Sequence, residues 1–580
     1  MFKNLSFMRT GAISALFRLL QHPLTMLAAM VPGFALVYQL ENNLPSLPFA
    51  AAILLALFAL LFTVSRRVAF SFYTTWLITV VISAISLVKY KTKGFSAHFY
   101  DVVFSGSDKA ALRFLFSEYG AYIFPVLATA VLAVVVGTLF FRSEKPGHAG
   151  LRTGLAMVLV SAIALPLTYP KEASFHRYFY YLQGRHMTAA FVSLLDIEYL
   201  LRGNVLEHEL AQVPPQAPFS APKLAARQCA EKQPDIFVVL GESQVDPAIF
   251  PQLKSGAKVS ALMGQANGSL KPMTVESFGG GTWVSTLSLM TGLPANAFGW
   301  RQPYLTVELE GKVREALPEV LARCGYRTVA QLPMEKSFVN EGHFLQSIGF
   351  EDVIDKGDLR APHYHMRDDF YLDAAERFIE QHRREDGRPL FMYVQTMFAH
   401  SPYDHRAEPQ IVLEGEPFDN DPAVAEYLRR MVIARQALGD FVAARKADAG
   451  PNGTLVADFG DHQSLVTKPL VDELAGQGAL AEPGSIAYRT FYTLQGFGLP
   501  VGLSLRRDVS TKPLDLHFFG SRILAQAGLP LSPLWQDIAR LDAICGGALL
   551  GCEADEALKI NLRRRVDSGM LNILSAGAGS

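Results

Sequence analysis

Charge is what this chain has least of. Asp, Glu, Lys and Arg make up only 18% of its 580 residues, against about 25% in an average soluble protein, while half of the residues are hydrophobic. The shortfall places part of the chain in lipid. Net charge is −1, which leaves no whole-chain electrostatic footprint for nucleic acid and excludes it as an expected partner. Cysteine is scarce too. The four cysteines are Cys229, Cys324, Cys545 and Cys552, and none forms a CxxC pair, which argues against a zinc knuckle. All four follow the last apolar run, where export would permit disulfides. Cys545 and Cys552 bracket a short Gly-Gly-Ala-Leu-Leu-Gly loop and make a plausible pair, with free buried thiols as the alternative. No convincing internal repeat is present. At this length, one core is not enough, and two or more units are expected.

Long apolar runs are abundant in the first third. Pro23–Leu40, Ser46–Ser65, Val68–Val88, Tyr119–Phe141 and Thr153–Tyr169 carry no charge, and a helix of about 18 to 20 apolar residues crosses the hydrocarbon of a bilayer. The fifth run is near the lower limit and contains Pro166. A cleaved signal peptide does not fit a run followed by several more. Basic residues set the orientation. Lys3, Arg9 and Arg18 precede the first run, Arg66 and Arg67 separate the second and third, and Arg142, Lys145 and Arg152 lie between the fourth and fifth. These short basic segments alternate with the other loops and predict a cytoplasmic N-terminus. The loop after the third run runs against this with Lys89, Lys91 and Lys93, but it also holds Asp101, Asp108 and Glu118. Five crossings place everything after Tyr169 outside the cytoplasm. Within Phe95–Tyr119, aromatics mixed with charges read as an interfacial helix or a plain connecting one.

The proline-dense stretch Val213–Pro218 marks an extended spacer. The expected division is a transmembrane domain over 1–170, a linker with juxtamembrane helices over 171–230, and an exported domain over 231–580. In the last, the short apolar runs Asp235–Leu240, Arg327–Leu332, Pro389–Met397, Thr454–Ala457 and Phe491–Leu494 alternate with helical stretches such as Asp373–Arg384 and Ala423–Ala444. Buried strands alternating with helices predict an α/β domain with a largely parallel sheet, and ligands of such sheets sit beyond the carboxyl ends of the strands.

Chemistry-bearing residues cluster at those ends. Glu242 follows the first run and Gly241; a carboxylate there suits a hard cation, though most such acids are merely solvated. In Glu276–Ser285, three glycines precede Thr282, so the backbone approaches a substrate closely. Thr282 then opens a helix whose N-terminus suits a phosphate oxyanion, or serves as an ordinary helix cap. Ser277 and Ser285 are rival hydroxyls. A strand over Thr454–Ala457 runs on into the adjacent Asp461 and His462, an oxygen and imidazole set that fits a divalent metal. Asp458 reads as structural. His400 closes another strand and suits contact with a substrate oxygen or proton donation. Trp300 and Arg301 are candidates for shaping a headgroup pocket. Arg563-Arg564-Arg565 reads as a solvated helix face, with anionic headgroups as the alternative.

Taken together, Glu242, Thr282, Asp461 and His462 in this order behind a five-span anchor resemble the membrane-anchored, sulfatase-like branch of the alkaline phosphatase superfamily, near lipoteichoic acid synthase and the phosphoglycerol transferases of periplasmic glucans. The stretch from Ser337 to Phe350 is also similar to that family's. The resemblance implies Glu242, Asp461 and His462 as metal ligands with Thr282 as ligand and nucleophile, and His400 as a substrate histidine. It departs at three places. Thr282-Trp283-Val284 stands where sulfatases proper carry a Cys or Ser motif, which disfavours sulfate ester hydrolysis. Val339-Asn340-Glu341 stands where lipoteichoic acid synthase reads aromatic-Asn-Arg. Leu332-Pro333-Met334 lacks a family histidine. The implied activity is transfer of glycerol phosphate from phosphatidylglycerol to a periplasmic glucan or other glycan through a phospho-threonine, with manganese, magnesium or zinc as cofactor, in a bacterial inner membrane. Phosphoethanolamine transfer, a plain phosphodiesterase, and a non-catalytic glycan-binding or assembly protein are the alternatives.

Overall fold

Apolar length and helix ends shape the first unit of the computed structural model. The structure describes residues 11–573 except 42–43, 105–107, 148–149, 172, 174–176, 198–205, 207–209, 211, 220–228, 230–232, 477, 500–511, 550–551 and 553–554. The chain forms two units, Met1–Ser107 with Leu112–Glu198 and Asp108–Ala111 with Tyr199–Ser580.

Among the described residues, five helices are long and apolar enough to cross a membrane: Pro23–Glu41, Leu44–Ser65, Val68–Lys93, Lys109–Ser143 and Leu151–Thr168. The first four contain their predicted runs whole, and the fifth stops one residue short of its run's end at Tyr169. Large apolar side chains on them, such as Leu27, Val64, Val134 and Leu167, are exposed, as lipid-facing surface is. The second helix stops at Arg66 and the third at Gly94, both in the left-handed conformation with the backbone N–H returned to the preceding turn. The aromatic segment Phe95–Tyr119 divides. Tyr100–Phe104 is a short helix, and Lys109–Ser143 runs on into the fourth span, broken by non-helical backbone at Tyr119. Two buried acids here are paired. Glu41 accepts the N–H groups of Met187 and Thr188 at 2.8 and 3.1 Å, and His98 Nε2 lies 3.0 Å from Asp196 Oδ2.

The second unit is built on one eight-stranded sheet. Its strands are β1 (Asp235–Gly241), β2 (Lys271–Thr274), β3 (Arg327–Gln331), β4 (Asp352–Ile354), β5 (Leu390–Gln395), β6 (Thr454–Gly460), β7 (Arg489–Phe497) and β8 (Leu514–Asp515), in the order β4-β3-β5-β1-β6-β7-β2-β8. Pairing is parallel except where β7 meets β6 and β2. The central strands β1, β5 and β6 are mostly apolar and almost wholly buried on both faces, as covered parallel strands are. Four helices matter for the site: α1 (Thr282–Thr291), α2 (Glu341–Ser347), α3 (Asp368–Glu385) and α4 (Pro422–Ala447). The five strands and two helices read from the sequence are all present. The short strands β2, β4 and β8 are additional.

The cysteines are all paired, as Cys229–Cys324 and Cys545–Cys552. Arg563–Arg565 is not a solvated face. Arg565 is buried and donates to the carbonyls of Thr291 and Gly292 at 3.0 and 2.8 Å, so it caps the C-terminal end of α1. Arg563 donates to Leu210 O at 3.0 Å, and the Arg564 guanidinium lies 4.0 Å over the Phe219 ring. The triplet thus ties the tail helix to the spacer. Asp458 is structural as expected, held between Arg435 and the Thr493 hydroxyl.

Candidate active site and metal centre

The parallel order of β5, β1 and β6 brings three carboxyl ends side by side, because equal registers align their last residues. Leu240 sits opposite Gln395 on one side and Phe459 on the other, and Gly241 opposite Gly460. The residues that follow, Glu242 after β1 and Asp461-His462 after β6, therefore leave the sheet together. Glycine is required at position 460, where a Cβ would stand 2.0 Å from the Gln244 carbonyl oxygen. Ser243 takes a left-handed backbone (φ 55°), which turns its N–H back onto Asp461 Oδ1 at 2.7 Å. Its hydroxyl donates to Glu242 Oε1 at 2.7 Å. Ser243 thus orients both carboxylates at once.

Thr282 arrives from the other direction. Gly279, Gly280 and Gly281 all have positive φ, at 75°, 152° and 97°, a path that residues with a Cβ rarely follow. They deliver the chain to the N-terminus of α1, where Thr282 is the first residue. Its Oγ1 donates to Glu242 Oε2 at 2.9 Å and lies 3.4 Å from His462 Nε2. The rival Ser285 is occupied, its hydroxyl donating to the Asp461 carbonyl at 2.6 Å. Ser277 is buried.

Glu242, Asp461 and His462 each turn one ligand atom to a common point, all within 4.8 Å of one another. The donor set fits a divalent cation. His462 Nδ1 donates to the Gln463 carbonyl at 3.0 Å, which turns Nε2 toward the acids. Nε2 lies 3.2 Å from Asp461 Oδ2 and 3.6 Å from Glu242 Oε1. Asp461 Oδ2 is buried and makes no hydrogen bond among the described residues. Acceptors converging in a buried place repel one another unless a cation lies between them. Desolvation works against the charge on Glu242, but the His462 and His400 imidazoles and the Ser243 and Thr282 hydroxyls outweigh it and hold this carboxyl below the usual range. Desolvation, and then the charge of Glu242, push Asp461 well above it. A cation between them would offset the mutual repulsion of the two carboxylates.

His400 stands at the turn after β5, near enough for its imidazole to act on Glu242. Arg430 Nη1 holds its carbonyl at 3.0 Å. Trp300 is buried edge-on to Tyr304, with centroids 6.4 Å apart. The Arg301 guanidinium grips Glu308 at 2.7 and 2.8 Å. Sequence reasoning assigned no role to Glu341 or Gln395. Glu341, at the start of α2, is buried and accepts from Gln395 Nε2 at 2.7 Å; Gln395 also reaches Thr286 Oγ1 at 3.1 Å, one turn into α1. Desolvation pushes Glu341 up to about 7, and the nearby charge of Glu242 adds to it. A glutamate in an otherwise ordinary helix start gave no signal of this.

The fold is a mixed α/β sheet domain, and Glu242, Asp461 and His462 at its strand ends could hold a divalent cation. Residues 234–488 match the family model described as Sulfatase, and an N-terminal set of membrane-length helices precedes them. Over 320 residues the chain is 25% identical to an uncharacterized protein of Haemophilus influenzae, covering 52% of this chain and 55% of that relative. It thus spans little more than half the length of the curated relative it matches. The lipooligosaccharide phosphoethanolamine transferase A of Neisseria meningitidis, an integral membrane protein, shares its fold at 13% identity and TM-score 0.53, over 86% of this chain and 95% of that one. A phosphoglycerol transferase of Streptococcus pyogenes, solved with sn-glycerol-1-phosphate, aligns at 15% identity and TM-score 0.44, over 64% of this chain and 92% of that one.

Proposed function

We propose that the chain is a multi-pass inner-membrane phosphotransferase, with residues 231–580 on the periplasmic side. It moves the glycerol phosphate headgroup of phosphatidylglycerol, through a phospho-threonine, to a periplasmic glucan or other glycan. The observation that carries this reading is the Thr282 hydroxyl at a helix N-terminus, 2.9 Å from Glu242 Oε2 and 3.4 Å from His462 Nε2. An alcohol is a weak nucleophile at neutral pH and requires activation. Glu242, Thr282, Asp461 and His462 would hold a divalent cation, manganese by preference and magnesium or zinc otherwise, which supplies Lewis acidity toward the threonine and phosphate oxygens. The Thr282 proton leaves along its bond to Glu242 as the oxygen attacks phosphorus. Diacylglycerol departs, and the headgroup phosphate stays on the threonine as a diester. The acceptor hydroxyl then attacks the same phosphorus, and Thr282 recovers its proton. The N-terminal N–H groups of α1 face the phosphate oxygens throughout, while Trp300 and Arg301 stand as candidates for the headgroup side.

Membrane anchoring serves a lipid donor by replacing a three-dimensional search with a high effective concentration. Two disulfides support an oxidising compartment for this domain.

A second reading, transfer of phosphoethanolamine, draws support from Glu341. It is a buried acid near a site already rich in carboxylates, at the position where the resemblance leads one to expect an arginine. Acidic surroundings favour an ammonium headgroup over neutral glycerol. One experiment separates these readings. The purified chain is incubated with manganese and a mixture of phosphatidylglycerol and phosphatidylethanolamine, without acceptor, and the peptide containing Thr282 is weighed. A glycerol phosphate adduct supports the first reading and a phosphoethanolamine adduct the second. An unmodified peptide in both the presence and absence of metal supports the glycan-binding alternative.

A further inference from the structure

Both halves of the site lean on one backbone carbonyl, that of Gln463, which the transfer scheme leaves unused. It accepts the His462 Nδ1 proton at 3.0 Å and the Gly279 N–H at 2.8 Å, so both of its lone pairs are taken. The first bond aims the imidazole whose Nε2 faces Asp461 and Glu242. The second fixes the start of the glycine triplet that delivers Thr282 to α1. The two segments meet closely there. Phe278 and Gln463 pair as an isolated parallel bridge, and a Cβ on Gly279 would stand 2.5 Å from Leu465 Cδ2. A carbonyl so placed aligns its two donors only if its peptide plane cannot turn. Residue 463 lies past the end of β6, where the sheet ladder has stopped. Its side chain supplies the missing hold. The Gln463 amide is fully buried, donates to the carbonyls of Ile486 and Arg489 at 2.5 and 2.8 Å, and accepts the Thr467 hydroxyl at 2.9 Å. These three bonds clamp residue 463 to the start of β7.

Packing alone does not ask for such a side chain. An apolar residue of the same volume fills a buried place without needing three partners, whereas a buried amide is tolerated only when its donors and acceptor are met. Here they are met by three separate stretches of chain, and what they immobilise is a carbonyl shared between a candidate metal ligand and the candidate nucleophile's loop. We propose that Gln463 is a positioning residue that holds the His462 imidazole and the Thr282 loop in one frame, so that cation affinity and nucleophile alignment are set together. This rests on the transferase reading above. Gln463 touches no reacting atom. It acts through His462, whose direction governs the hold on a cation, and through Gly279, whose place governs where the Thr282 hydroxyl stands. Both effects have one origin and fall together when the clamp is lost. Ser285 still ties α1 to the Asp461 carbonyl at 2.6 Å, so loss of the clamp loosens the site without dismantling it.

The test uses the full chain in detergent and two readouts. Manganese affinity is read from the rise in melting temperature as the metal is added. Nucleophile alignment is read from the rate at which the Thr282 peptide gains its adduct from phosphatidylglycerol at saturating manganese. Gln463→Met nearly keeps the side-chain volume and removes all three hydrogen bonds. It lowers manganese affinity by about tenfold, the lower range for a group that orients a metal-binding histidine. It also slows adduct formation at saturating metal by about tenfold or more, the scale of a displaced reacting group. Thr467→Val removes one of the three bonds to the amide, lowers both readouts by a smaller factor, and tests the clamp should Gln463→Met fail to fold. Tyr326→Phe is the structural comparison. Its hydroxyl donates to Pro234 O at 2.9 Å, at the amino ends of β1 and β3, so this variant melts lower and leaves both readouts unchanged. A Gln463→Met chain that behaves like Tyr326→Phe overturns the proposal. A fall in one readout alone overturns it too, because Gln463 would then serve His462 or the glycine loop without joining them. A native chain that binds manganese but forms no adduct sinks the transferase reading, and the hold on His462 then stands or falls on manganese affinity. A native chain whose melting responds to none of manganese, magnesium and zinc sinks both.

Discussion

At the scale of single residues, the site has an asymmetry that experiment can read. In the proposed scheme Thr282 supplies the oxygen for the covalent step, whereas Asp461 acts through its charge on the cation. Thr282→Ala therefore abolishes the adduct and lowers transfer by about a thousandfold or more, as removal of a nucleophile does. Thr282→Ser keeps a hydroxyl at the helix start and retains adduct formation. Mass analysis of the peptide and turnover of a labelled lipid check both. Asp461→Asn should behave differently. It removes one of two buried acids that repel each other, so the chelated protein melts higher, by about 2–4 °C for a change near 1 kcal/mol in a domain of this size. The same variant loses most of the stabilisation that added manganese gives the native chain. A melting curve with and without metal reads both halves. A chelated variant that melts lower than native would contradict the repulsion inferred between Glu242 and Asp461.

At the scale of elements, α2 and β5 meet through Glu341 and Gln395, behind the first turn of α1. Burial raises Glu341 to about 7 from an ordinary value of 4.5. A raised acid binds its proton more tightly when folded. Its contribution to stability is therefore fully present below about pH 4.5 and is lost as pH climbs to about 7, a swing on the order of 3 kcal/mol at most. Glu341→Gln removes that swing. Between pH 5 and pH 8, without metal, the melting temperature of the native chain falls more than that of the variant, while Asp461, raised as well, leaves both with some residual slope. Parallel curves would mean that Glu341 is ionised at pH 5. The elements that carry this network differ in how plainly the sequence announces them. β1, β5 and β6 are legible because strands buried on both faces leave unbroken apolar runs. Glu242, Thr282, Asp461 and His462 are legible because each follows such a run or a glycine triplet. Strands β2, β4 and β8 are only four, three and two residues long, too short for a period, and they form because the sheet edge is already there to pair with. Glu341 and the capping role of Arg565 depend on what lies across the fold, which local pattern does not record. Arg563-Arg564-Arg565 reads as solvated because three adjacent cations usually are. Here Arg565 finds backbone carbonyls at the end of α1, and neutral acceptors are enough to bury it.

At the scale of the whole molecule, the disulfides and the membrane topology make linked demands. Cys229–Cys324 closes a separation of 95 residues and Cys545–Cys552 one of seven. The entropy removed from the unfolded chain grows with the logarithm of that separation, about 4.7 kcal/mol for the longer loop and about 2.4 for the shorter. Replacing both cysteines of the long loop with serine should cost the domain roughly twice as much stability as the same change in the short one, measured by denaturant unfolding. Both bonds require an oxidising compartment, and with five crossings the second unit reaches one only if the N-terminus lies in the cytoplasm. The basic residues between the second and third spans and between the fourth and fifth predict that arrangement. An impermeant maleimide on intact spheroplasts should label a cysteine placed at the exposed Ala443, on α4. It should spare one placed at the exposed Arg66 between the second and third spans until the membrane is opened. The reverse pattern would put Thr282 and its neighbouring acids in the cytoplasm, where reducing conditions oppose both disulfides and the proposed periplasmic acceptor is out of reach. Labelling at both positions would mean an even number of crossings between them and remove one of the five helices from the bilayer.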